Sequence, residues 1–108
     1  MANIECEHAD DCLRIRIACG TANALTTAVI QDLAHAVADA NRNARGAMLC
    51  GGEKFFCNGL DLDWALTCSR AEITEMFHEL AGLILAMLES PLPIVGAIRG
   101  HAIGGGMA

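Results

Sequence analysis

Two stretches of this chain have the composition to do chemistry. They are Phe55-Phe56-Cys57-Asn58-Gly59-Leu60-Asp61-Leu62 and the run from Pro93 to Gly106 that ends in Gly104-Gly105-Gly106. Each follows an apolar run that reads as a buried strand, and each turns through glycine toward the start of a helix. At such a turn the first backbone N–H groups lack an intrahelical partner and point outward. One amide from each loop, meeting at a point, would hold a carbonyl oxygen as it becomes negative in a transition state. Each donor of this kind is worth on the order of a hundredfold or more in rate. A side chain at Gly105 would block the approach of the acyl group, and the turn calls for backbone that other residues avoid. The helix beginning there would add the positive end of its dipole. With the chain ending at Ala108, almost no residues remain to build that helix.

The elements that must position these loops follow from periodicity. Cys12 to Cys19 alternates apolar and polar residues, as a half-exposed strand does. Asn23 fits an N-cap for a helix from Ala24 to Arg42, in which Leu25, Val29, Ile30, Leu33, Val37 and Ala40 share one face. Gly46 ends it, and Ala47 to Cys50 reads as a short buried strand closed by Gly51-Gly52. Asp61 caps a short helix from Leu62 to Leu66. A longer helix runs from Arg70 to Leu88 and is stopped by Ser90-Pro91-Leu92-Pro93. Ile94 to Ile98 is the next strand. Strand, helix, strand, helix, strand at this spacing predicts an α/β fold with parallel pairing through crossovers, and both loops then leave the carboxyl ends of the sheet strands. One domain, residues 1–108, is expected.

Composition narrows the ligand. With 54% hydrophobic residues in 108 the chain can build a core, and its formal charge of −6 argues against nucleic acid or an anionic membrane as partner. A small organic molecule fits better. The six cysteines (Cys6, Cys12, Cys19, Cys50, Cys57, Cys68) contain no C-x-x-C pair, and the N-terminus shows no secretory pattern. They read as reduced, buried thiols in a cytoplasmic protein, with no metal site. Leu80 to Leu88 is too short to cross a membrane.

The two motifs together resemble the enoyl-CoA hydratase/isomerase (crotonase) superfamily. Phe56-Cys57-Asn58-Gly59-Leu60-Asp61 fills its first signature and Gly100 to Gly106 its second. The resemblance implies a repeated β-β-α spiral, of which residues 1–108 are an N-terminal portion. It implies that the Leu60 and Gly105 amides form the oxyanion hole, and that Cys57, Asn58, Gly59, Asp61 and Gly104 line the path of an acyl-CoA. Thr21 to Leu25, with Ala22 and Ala24, resembles the loop that reaches the CoA nucleotide, although the usual proline and basic residue before Asn23 are missing. No cofactor is implied, because the CoA or acyl-carrier thioester is the substrate; trimers or paired trimers are implied. Ala108 stands where the hydratases carry a catalytic glutamate, and the Asn58 to Trp64 run is closer to the isomerase branch. The resemblance therefore favours an enoyl-CoA isomerase whose acid lies further along. A hydratase (lyase), a polyketide-branching decarboxylase, and a non-catalytic binding module are the alternatives. The 108-residue piece alone is expected to be incomplete and inactive.

Plainer roles account for other candidates. Gly100 to Gly106 does not match the G-x-G-x-x-G phosphate loop. His101 is expected to be buried beside the sheet, and His35 and His78 to lie at the surface. Trp64, Met76, Phe77, Leu80, Leu83 and Ile84 are expected in the core or a subunit contact. Asp32, Asp39, Glu72, Glu75 and Glu79 are expected on solvated helix faces.

Overall fold

Glu5, Glu7 and His8 give the N-terminal segment so polar a character that its strand is invisible to hydrophobic patterning. The computed structural model describes residues 3–108. In it Ile4–Ala9 forms β1, which pairs antiparallel with β2, Cys12–Ile17. Of β1 only Ile4 is fully buried. Its register places Glu5 opposite Arg16 and Glu7 opposite Arg14, with ion contacts of 3.8 and 4.0 Å. Exposed pairs of this kind contribute little, so the strand is held mainly by its ladder. Asp10 and Asp11 make the two-residue turn with φ of 51° and 64°, the left-handed pair that a tight hairpin requires.

In β2 the expected alternation is realised. Leu13, Ile15 and Ile17 are buried, while the two arginines point outward. The chain continues through α1 (Thr27–Asn43), β3 (Gly46–Cys50), β4 (Phe55–Cys57), α2 (Leu62–Ala65), α3 (Arg70–Leu88), β5 (Ile94–Ala97), β6 (His101–Ala102) and a 3₁₀ turn at Gly104–Gly106. The main sheet has the order β1-β2-β3-β5, and β2–β3 and β3–β5 are parallel. The α/β architecture with parallel crossovers is therefore present. α1 packs on the sheet and against α3, burying Val29, Ile30, Leu33, Ala36, Val37 and Ala40. No helix among the described residues is long and apolar enough to cross a membrane.

Two expectations are corrected. α1 is capped by Thr26, whose Oγ1 accepts from the Val29 N–H at 3.4 Å, so Asn23 and Leu25 lie before the helix. β4 and β6 do not belong to the main sheet but pair with each other in a separate parallel sheet. The second motif consequently does not leave β5 directly: the chain turns at Ile98 to Gly100, starts again as β6, and only then reaches the glycines. The glycine run itself is a 3₁₀ turn, after which the Ala108 N–H reaches back to Gly104 O at 3.3 Å, an i→i−4 bond of the α-helical kind.

The long helix begins and ends where its sequence indicates. Ser69 caps α3: its Oγ accepts from the Glu72 N–H at 3.2 Å, while Glu72 Oε1 accepts from the Ser69 N–H at 2.9 Å. This capping box gives Glu72 a structural task beyond a solvated face. Met76 and Leu83 are buried and Trp64 and Leu80 partly so, whereas Phe77 is exposed. His35 and His78 are at the surface, and so is His101, whose ring lies 5.3 Å from that of Phe55. The expected burial of His101 is thus not seen: β6 is an edge of a two-stranded sheet, and the imidazole stands against Phe55 at its exposed surface. Cys50 and Cys57 are buried, Cys12, Cys19 and Cys68 are half-buried, and Cys6 is exposed; all are free.

Candidate active site

β4 delivers the first motif. Past Cys57 the chain runs beside the segment that precedes α1. The Asn58 N–H donates to Ala22 O at 3.1 Å, the Leu25 N–H donates to Gly59 O at 2.7 Å, and the Asp61 N–H donates to Leu25 O at 2.8 Å. Leu25 and Leu60 therefore form a one-residue parallel bridge. In such a bridge the residues on either side of Leu60 hold Leu25, and the amide of Leu60 itself points to the opposite edge. Asp61 then caps α2, its Oδ1 accepting from the Trp64 N–H at 3.0 Å, as expected.

β6 delivers the second motif. The Ile103 N–H donates to Cys57 O at 3.0 Å, and the chain then passes through Gly104 at φ 57°. The two loops lie against each other. Gly59, at φ 81°, packs so closely that a Cβ on it would sit 2.7 Å from Ile103 O and 3.2 Å from Gly105 N. Gly106 is pressed onto the Cys57 backbone, where a Cβ would collide. Gly105 is different. A Cβ there would meet nothing nearer than Leu25 Cδ1 at 3.5 Å, so packing does not demand glycine at this position.

Leu60 and Gly105 line one cavity of about 100 Å³, together with Leu25, Ile30, Met76, Phe77 and Leu80. Among the described residues neither the Leu60 nor the Gly105 N–H donates a hydrogen bond within the protein. A larger apolar cavity of about 180 Å³ shares the Leu25, Leu80 and Gly105 walls and extends along α3 to Met87. The arrangement thus combines two uncommitted amide donors with an apolar surround, a setting in which a hydrogen bond to a developing negative charge is strongest.

The remaining residues singled out from the sequence fall around this point. Asn58 is exposed, and Gly104 is exposed at the mouth of the second loop. Ala22 O is taken by Asn58, and Ala24 O accepts the Cys19 thiol at 3.3 Å. Burial pushes the Cys57 thiol up, and the nearby Gly59 amide offsets only part of this. Burial also raises Cys19, with Cys57 and Asp61 adding to the effect. Both thiols are therefore held neutral, which disfavours a nucleophilic role. No titratable side chain lines the smaller cavity among the described residues.

One residue of this region has a role other than the helix cap its sequence position suggests. Asn23 is the buried polar residue of the described chain, 2% exposed, with φ 50°. Asparagine tolerates the left-handed region better than most residues, and this was the available signal, but an N-cap explained the same residue.

Residues 11–108 match the profile of the enoyl-CoA hydratase/isomerase family. A probable enoyl-CoA hydratase from Mycobacterium tuberculosis is 37% identical over 86 residues, 79% of this chain and 33% of that protein. Enoyl-CoA delta isomerase 3 from Arabidopsis thaliana is 32% identical over 72 residues, 62% of this chain and 30% of that protein. Among solved structures, enoyl-CoA hydratase from Bacillus anthracis superposes with a TM-score of 0.88 at 28% identity, covering 96% of this chain and 42% of that one. The chain thus spans about a third of the length of these curated relatives.

Proposed function

Because the chain belongs to the enoyl-CoA hydratase/isomerase family, we propose that it supplies the oxyanion-binding part of an acyl-CoA isomerase. The Leu60 and Gly105 amides hold the thioester carbonyl while a double bond migrates. A base removes a proton from C2 of a 3-enoyl thioester, the electron pair passes into the carbonyl, and the resulting dienolate oxygen is held by the two N–H groups. A proton returned at C4 gives the 2-enoyl product. The described lining of the smaller cavity offers donors and no proton carrier, so this reading assigns the acid or base to another part of the protein. Ala22, Ala24, Cys57, Asn58, Gly59, Asp61 and Gly104 line the approach of the CoA arm, and assembly into trimers or paired trimers belongs to the same reading.

The observation that supports it is the pair of uncommitted amides on a shared apolar cavity, at a glycine that packing does not require. The isomerase form draws on the relatives named delta isomerases and on Ala108, which stands at the position of the hydratase glutamate. The identity of 37% to a probable hydratase supports hydration as the second reading. Incubating the full protein with a 3-enoyl-CoA, and separately with a 2-enoyl-CoA in water, separates them. Conjugation of the first without hydration of the second is expected. Hydration alone replaces the first reading with the second, and turnover of neither removes both.

A further inference from the structure

We infer that Asn23 is a positioning residue that aims the Leu60 amide, by locking the Cys19–Leu25 loop onto the strand that carries the first motif. Its carboxamide is used on both ends. Nδ2 donates to Ile17 O at 2.8 Å and to Phe56 O at 3.2 Å, with Phe55 O at 3.4 Å sharing. Oδ1 accepts from the Cys19 N–H at 3.1 Å and faces its thiol at 3.8 Å. Flipping the amide would set a donor against a donor and an acceptor against three carbonyls, so the assignment is determined by the surroundings. Three pieces of backbone that share no ladder bond at this point, the end of β2, the loop after it and β4, are thereby tied to one side chain.

The consequence reaches the site in two residues. Leu25 receives and donates the bonds that hold Gly59 and Asp61, and these fix the edge to which the Leu60 N–H points. The left-handed backbone at Asn23 turns the chain so that its side chain enters the interior while Leu25 reaches the first motif. Without the carboxamide, the carbonyls of Ile17 and Phe56 lose a buried donor, and the loop that sets the Leu60 register loses its anchor to β4. A displaced donor about 1 Å out of line can cost on the order of a hundredfold in rate.

This inference rests on the proposed thioester site, and its test separates the two. The full protein is bound to butanoyl-CoA carrying a ¹³C carbonyl, and the carbonyl stretch is read by infrared difference spectroscopy. Turnover of a 3-enoyl-CoA is measured alongside. Asn23→Gly accepts the left-handed backbone and removes the carboxamide; Asn23→Asp keeps the volume and removes the Nδ2 donors, and serves if the glycine variant does not fold. Ser69→Ala removes the α3 cap, away from both loops, and controls for lost stability. Wild type and Ser69→Ala are expected to shift the carbonyl to lower frequency. In the Asn23 variants the shift should be largely lost and kcat should fall by about tenfold or more. A wild-type shift that survives in a folded Asn23 variant, with kcat intact, overturns this inference alone. A wild-type carbonyl that does not shift overturns the thioester reading, and this inference with it.

Discussion

The loop that carries Leu60 is fastened at three backbone points to residues 22–25, whereas the loop that carries Gly105 is held by the Ile103 bond to Cys57 O and by the packing of its glycines. The first gains direction from hydrogen bonds and the second from the absence of side chains. A bonded loop can tolerate side-chain changes as long as its ladder survives. Where the backbones touch, at Gly106 in the second loop and at Gly59 in the first, a methyl group has nowhere to go, whereas Gly105 has room for one. Within the second loop, moreover, Gly105 and Gly106 are neighbours with opposite reasons for being glycine.

That contrast can be broken directly. Gly105→Ala is expected to fold, since its Cβ meets only ordinary contacts, yet to lose about a hundredfold or more in kcat/KM as the acyl oxygen is kept from the amide; steady-state kinetics beside a thermal melt reads both. Equal activity would show that Gly105 is glycine for some other reason. Gly106→Ala should do the reverse, lowering stability by about 1–3 kcal/mol through collision with the Cys57 backbone, measured by urea unfolding. A smaller effect, about 1 kcal/mol of stability with activity unchanged, is expected for Ser69→Ala, which removes the α3 cap remote from both loops.

The weakest lever is pH. Ser69 holds the Glu72 carboxylate below its ordinary value of 4.5, so that contribution is present above this value and is lost as pH falls through the lower folded value; Ser69→Ala should flatten the acid limb. Cys19 and Cys57 lie above the ordinary thiol value of 9.0. Their neutral burial supports folding fully below that value and ceases to do so as pH rises through the raised folded values. Melting temperature against pH from 8 upward should therefore fall, and fall less steeply in Cys57→Ala, if burial of the first motif is as tight as its bonds imply.

Legibility followed the range of the determining contact. α3 could be bounded to the residue because its cap, its apolar stripe and the prolines beyond it all lie within a few positions. The β2 alternation and the Asp61 cap were readable for the same reason. β1 was not, since a polar edge strand is stabilised by its ladder and has no apolar period to show. The small sheet of β4 and β6 reads in the sequence only as loop leaving the main sheet, because strands of three and two residues carry no pattern of their own. His101 was misplaced with it.

By itself, the amino-acid sequence determined the helices, the buried strands, and two glycine turns with donor amides to spare. Local sterics and capping decide those matters within a turn or two of chain. Only the tertiary structure decided where the amides point. Asn23 satisfies either a helix cap or a left-handed turn, and the choice is made by the Phe55 and Phe56 carbonyls more than thirty residues away. The direction of Leu60 is likewise set by Leu25 across a bridge, because a backbone amide has no side chain to announce its partner.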